Sequence, residues 1–109
     1  YTVTIPANTT IERGEQSVKL GSVSLDNARL EPDKNVNVSV SASGKLKNSK
    51  DESKTIAYKI MDGNKEFSSA TYAESGNSTN LTLSIDKSEW DKAYAGSYSD
   101  TLMFTISYR

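Results

Sequence analysis

Apolar and polar residues alternate with a period of two along most of this chain, as in strands that bury one face and wet the other. Tyr1, Val3 and Ile5 alternate with Thr2 and Thr4, and Pro6 ends that strand or sets it at a sheet edge. Val18 and Leu20 share a face, Gly21 interrupts, and Val23 and Leu25 resume in the opposite parity. A β-bulge or a bend at Gly21 produces such a shift. Residues 35–42 alternate without a break, with Val36, Val38, Val40 and Ala42 inward and Asn37, Ser39 and Ser41 outward. The stretch 43–54, SGKLKNSKDESK, carries one Leu among polar and charged residues, and predicts a long exposed loop or a ragged hairpin outside the core.

Ile56, Tyr58 and Ile60 form the next inward face, and Asp62-Gly63-Asn64 is a turn signal that predicts a hairpin into residues 66–72. Leu81, Leu83 and Ile85 then alternate with Thr82 and Ser84. The last strand is the longest, with Tyr98, Leu102, Phe104, Ile106 and Tyr108 in one parity. Between these two strands, DKSEWDKAYAGS (86–97) predicts one helical turn over 87–92 under an Asp86 cap, released by Gly96. About seven short strands in roughly a hundred residues suit an all-β fold. The expected architecture is a two-sheet antiparallel, immunoglobulin-like β-sandwich that forms one domain over residues 1–109.

The opening YTVTIPA, the middle VNVSVSASGKL and the closing AYAGSYSDTLMFTISY carry a family resemblance. In these stretches the chain resembles immunoglobulin-like β-sandwich modules of Gram-positive bacterial surface and secreted proteins. The resemblance rests on strand and turn patterns over most of the length and includes no catalytic signature. It implies an exported, extracellular or cell-surface module, one of several in a longer multidomain protein. The start at Tyr1 without Met fits a processed or excised segment.

Composition narrows the chemistry. The chain has 109 residues with no His and no Cys, which excludes Ser-His-Asp and Cys-His nucleophiles, Cys/His zinc sites and thiol redox centres. No cofactor and no catalytic residue is expected. With 13 Lys+Arg against 14 Asp+Glu there is no basic field to gather nucleic acid or anionic lipid, and no apolar run nears the length of about 18 that suggests a membrane span. The 17 Ser, 10 Thr and 8 Asn favour polar-faced strands and an extracellular setting. Lys45, Lys47, Lys50 and Lys54 form a basic cluster, but Asp51 and Glu52 interrupt it and no aromatic residue is interleaved for base stacking. Asn8, Asn37, Asn77 and Asn80 satisfy N-x-Ser/Thr, as chance predicts from this composition.

The aromatic residues are the first candidates for binding. Trp90 and Tyr94 lie at i and i+4 in the crossover, and Tyr72 ends a strand near a polar loop. Sugar rings pack on flat aromatic faces, so these three form a candidate polysaccharide or host-glycan platform. The plainer reading has Trp90 plugging one end of the sandwich. Asp86, Glu89 and Asp91 offer oxygen atoms for calcium, but the spacing matches no EF-hand and Lys87 and Lys92 are interleaved, so a solvated loop with a helix cap is the better explanation. Modules of the kind this chain resembles sometimes carry a Lys-Asn or Lys-Asp amide crosslink promoted by a buried acid, and Lys19, Lys59 and Asp100 are the components to test for one, with Asp100 in the inward parity of Tyr98 and Leu102 and Lys59 in an outward one. The expected function is therefore a non-catalytic structural or spacer module, monomeric, with neighbouring domains of the same chain as partners. The alternative is carbohydrate binding or adhesion. A third reading, fibre assembly, would have the 1–5 strand leave its sheet to pair with another molecule.

Overall fold

The computed structural model describes residues 2–6, 9–27 and 29–109, with the backbone alone for Thr2 and Thr4. Tyr1 and the Asn8 motif lie outside the described residues. In chain order the elements begin with β1 (Thr2–Thr4), β2 (Ser17–Asp26), β3 (Val36–Ser41), β4 (Lys45–Asn48) and β5 (Thr55–Ala57). There follow β6 (Lys59–Asp62), β7 (Lys65–Glu66), β8 (Ser69–Tyr72), β9 (Ser78–Ser84), α1 (Lys87–Lys92), β10 (Tyr98–Ser99) and β11 (Met103–Tyr108). The described residues form an all-β fold, with three antiparallel sheets and one short helix among them. The strand orders are β1-β2-β9-β6-β7, β10-β4-β5 and β11-β3-β8.

The strand number exceeds the expected seven because several predicted strands are split. Residues 42–44 break the alternating run after β3, leaving Ala42 exposed, and residues 100–102 break the last strand between β10 and β11. Gly21 behaves as the pattern predicts: the register of β2 against β9 shifts between Lys19 and Gly21, so that Val18, Val23 and Leu25 all point inward. Pro6 lies 3.4 Å from the position a Gly21 side chain would occupy. Gly63 opens a two-residue turn between Asp62 and Lys65 at φ +61°, which places glycine first, as a hairpin of that length favours. The hairpin is short. After β7 the chain changes sheet, and β8 pairs with β3.

One stretch expected outside the core enters it. Residues 45–48 form β4, pair with β5, and bury Leu46 and Asn48 while Lys45 and Lys47 face outward. A single Leu suffices because the strand needs only one apolar contact, Asn48 being held inside by hydrogen bonds. Val23, Leu25, Val36, Val38, Ile56, Leu81 and Ile85 are almost completely buried and form the centre of one core shared by all three sheets.

The body is elongated, 52 × 23 × 18 Å. Thr2 pairs with Asp26, Arg109 exchanges backbone bonds with Asn35, and Gly76 N–H donates to Leu25 O, so β1 starts and β11 ends at one pole, beside the 73–77 turn. At the other pole, Ile85 N–H donates to Gln16 O, and α1 packs beside β5.

Candidate functional site

Helix α1 spans the predicted residues, but its attachment differs from expectation. Asp86 occupies the N-cap position with no side-chain cap hydrogen bond. Glu89 anchors the helix: its Oε1 accepts from Ala57 N–H at 2.8 Å, and its Oε2 lies 3.0 Å from Lys92 Nζ. The Ala57 hydrogen bond and Lys92 hold its carboxyl below the usual glutamate range. Lys87 pairs with Asp91 at 3.7 Å. Glu89 and Asp91 thus meet lysines and a backbone donor, and among the described residues no cluster of three acidic side chains converges on a metal position.

The helix turns Trp90 toward a lateral cleft of about 880 Å³. Leu20 and Leu83 line it from one sheet, and Leu102 and Phe104 face them. Tyr98 and Arg13 also border it, the Arg13 guanidinium lying 6.0 Å from the Trp90 ring centre. Trp90 Nε1–H donates to Glu15 O at 2.7 Å, and Tyr98 Oη–H donates to Tyr94 O at 2.9 Å. The polar edges of both rings are thus bonded within the chain, and what they offer the cleft is apolar surface.

The three aromatic candidates do not converge. Tyr94 lies beyond the helix end, 60% exposed, with the Lys54 ammonium 4.8 Å from its ring centre, and it does not line the cleft. Tyr72 is 4% exposed, and its hydroxyl lies 2.7 Å from Thr79 Oγ1 and 3.4 Å from Val23 O. It sits at the opposite pole from Trp90. Its parity in β8 turns it into the core, which removes it from any surface platform.

Asp100 also lines the cleft and is the most heavily bonded acid there. It accepts from Tyr58 Oη–H at 2.5 Å and from Ser43 Oγ–H at 2.9 Å, and Lys47 Nζ lies at 3.5 Å. Desolvation pushes its carboxyl up, but the hydrogen bonds from Tyr58, Ser43 and Thr101 N–H, together with Lys47, outweigh it and hold Asp100 below the usual aspartate range. For Tyr58, burial first and the Asp100 contact second push the phenol well above the usual tyrosine range. Lys47 also reaches Ser43 Oγ at 3.3 Å, as a donor to both Ser43 and Asp100. Neither lysine considered for a crosslink is the one beside Asp100: Lys59 pairs with Glu66 at 3.5 Å, and Lys19 is exposed.

Two residues that organise this region carried a readable signal. Asn48 shares the inward parity of Leu46. Its Oδ1 accepts from Lys50 N–H at 2.9 Å and Asp51 N–H at 3.3 Å, and its Nδ2 donates to Ala95 O at 3.4 Å. Gly96 permits this approach, since a side chain there would stand 3.0 Å from Asn48 Nδ2, at a φ of +126°. Gly96→Ala is expected to cost about 1–3 kcal/mol, from positive φ and crowding together. Urea unfolding measures it, and an unchanged midpoint would show that the 93–97 segment relaxes without loosening Asn48.

The chain matches no family model, and neither a curated protein nor a solved structure is significantly similar to it.

Proposed function

We propose that this chain is a non-catalytic extracellular module of a bacterial cell-surface or secreted multidomain protein, with a structural role. The fold underlying this reading is an immunoglobulin-like sandwich in which β10-β4-β5 and β11-β3-β8 are two halves of one interrupted layer. Three-residue breaks, 42–44 and 100–102, join the halves along two strands. The observation that carries the role is the placement of the strand ends. β1 starts and β11 ends at one pole of a 52 Å body, so chain continuing at either end would leave from that pole and the module would stand out sideways from its neighbours. A module of this shape sets spacing and displays its far pole rather than lengthening a string of domains end to end.

The separation of Trp90, Tyr94 and Tyr72 supports this role over the glycan platform expected of them, because the three rings do not share one face on which a sugar could stack. Trp90 is the one tryptophan of the chain, so its emission reports this region alone. On the structural reading its emission is partly quenched by acrylamide, as a half-buried ring on the wall of the cleft requires, and unchanged by a panel of plant, host and bacterial polysaccharides. A saturable shift with one glycan would overturn that reading in favour of carbohydrate binding at the crossover.

A further inference from the structure

We propose that the β10-β4-β5 sheet, together with α1, is a hinged flap over the lateral cleft, pinned at Asp100 and latched at Trp90. The pin lies where strands break. The chain leaves this sheet at 42–44 toward β3, at Tyr58 toward β6 and at 100–102 toward β11, and all three crossings meet in one set of hydrogen bonds. Asp100 accepts from Tyr58 Oη–H and from Ser43 Oγ–H, and Tyr58 N–H donates to Gly44 O at 2.9 Å. Hinges are a few residues at element ends that absorb the change in backbone angles. The 42–44 crossing, Ala-Ser-Gly, suits that use, with Gly44 at φ +77°.

The other side of the flap is tied differently. The helix rides on the sheet, because Glu89 accepts from Ala57 N–H of β5 and Asn48 of β4 donates to Ala95 O beyond the helix end. Two side-chain bonds then fasten this unit to the segment that leads into β2. Trp90 Nε1–H donates to Glu15 O at 2.7 Å and Arg13 Nη2–H to Ala93 O at 3.1 Å, with the Arg13 guanidinium over the Trp90 ring. Beside this latch lies the cleft of about 880 Å³, lined by Leu46 and residues 95–99 of the flap and by Leu20 and Leu83 of the facing sheet. Across that gap the two walls forgo the dispersion contacts that would hold them together. Lifting the flap wets Leu46 and Ile56, both buried, so the closed form dominates and the open one is a minor population. Opening frees the Trp90 indole and uncovers Leu83, which is 4% exposed when the flap is closed.

Hydrogen exchange of the Trp90 indole N–H reports the latch in the unmodified chain. The chain has no native Cys, so Leu83→Cys reports the flap through its rate of labelling by a thiol reagent. Both groups should be less protected than the backbone amides of β3, which exchange through global unfolding, and less sensitive to urea, because a hinge exposes less surface. Arg13→Ala, at an exposed position, should speed both at least about fivefold, the factor that one side-chain hydrogen bond is worth. Asp100→Asn should speed the β3 amides alone, since the pin stays bonded when the flap is open. The indole readout needs no cysteine, so the test does not depend on that variant folding. Release of the indole at the pace and urea dependence of the β3 amides would overturn the proposal, as would an Asp100→Asn effect on the indole or on Leu83→Cys equal to that of Arg13→Ala.

Discussion

Asp100→Ala is expected to lower the melting temperature by roughly 10–20 °C. The side chain it removes accepts from Tyr58 and Ser43 and faces Lys47, and Tyr58 is itself buried. A buried hydroxyl left without its acceptor costs about 1–3 kcal/mol, and the lost bonds to a charged acceptor bring the total to about 2–4 kcal/mol. In a domain of this size each kcal/mol moves the midpoint by about 4–8 °C. Asp100→Asn keeps an oxygen for Tyr58 and should cost less than half as much. Equal losses for the two variants would mean that the charge, rather than the acceptor, holds the pair together.

The same pair sets the pH dependence. Asp100 titrates lower in the folded state than in the unfolded chain, so its contribution is present above the ordinary aspartate range and is lost as pH falls below it. Tyr58 titrates higher when folded, so its contribution is complete below the ordinary tyrosine value of about 10 and is lost as pH rises past it. With no His or Cys to titrate between these ranges, the melting temperature should be nearly flat from about pH 6 to 9 and fall on both sides. Tyr58→Phe removes the Tyr58 part of the alkaline fall, whereas a curve identical to wild type above pH 10 would rule out Tyr58 as its source.

The fold was legible where one signal decided the outcome. The parity shift at Gly21, the Asp62-Gly63-Asn64 turn and the inward sets Ile56-Tyr58-Ile60 and Leu81-Leu83-Ile85 all followed from periodicity and turn chemistry. The candidate site was legible only in part. The parities of Tyr58 and Asp100 marked each as a buried polar group in need of a partner, but 42 positions separate them, and nothing local says that they meet. Tyr72 failed as a surface candidate because a strand end near a polar loop is exposed only if its parity faces out. Leu46 and Asn48 were missed because a charged stretch was judged by composition, while burial in a strand is decided position by position. Parity also gives each residue a face without telling whether anything covers that face, and β11 shows the consequence.

Leu25 and Ile106 make that last distinction measurable. Both alternate as inward residues of a strand, and the sequence gives no reason to rank one above the other. Leu25 is 0% exposed, with Val3 of β1 as its cross-strand partner, whereas Ile106 stands opposite the fully buried Val38 yet is 42% exposed. Truncating Leu25 removes its transfer free energy and leaves a void that rigid neighbours cannot fill, so Leu25→Ala should cost about 2–5 kcal/mol. Ile106→Ala removes methyl groups already in contact with water and leaves no enclosed void, so it should cost less than about 1 kcal/mol. Urea unfolding compares the two directly. Similar losses would mean that Ile106 is covered in the folded protein.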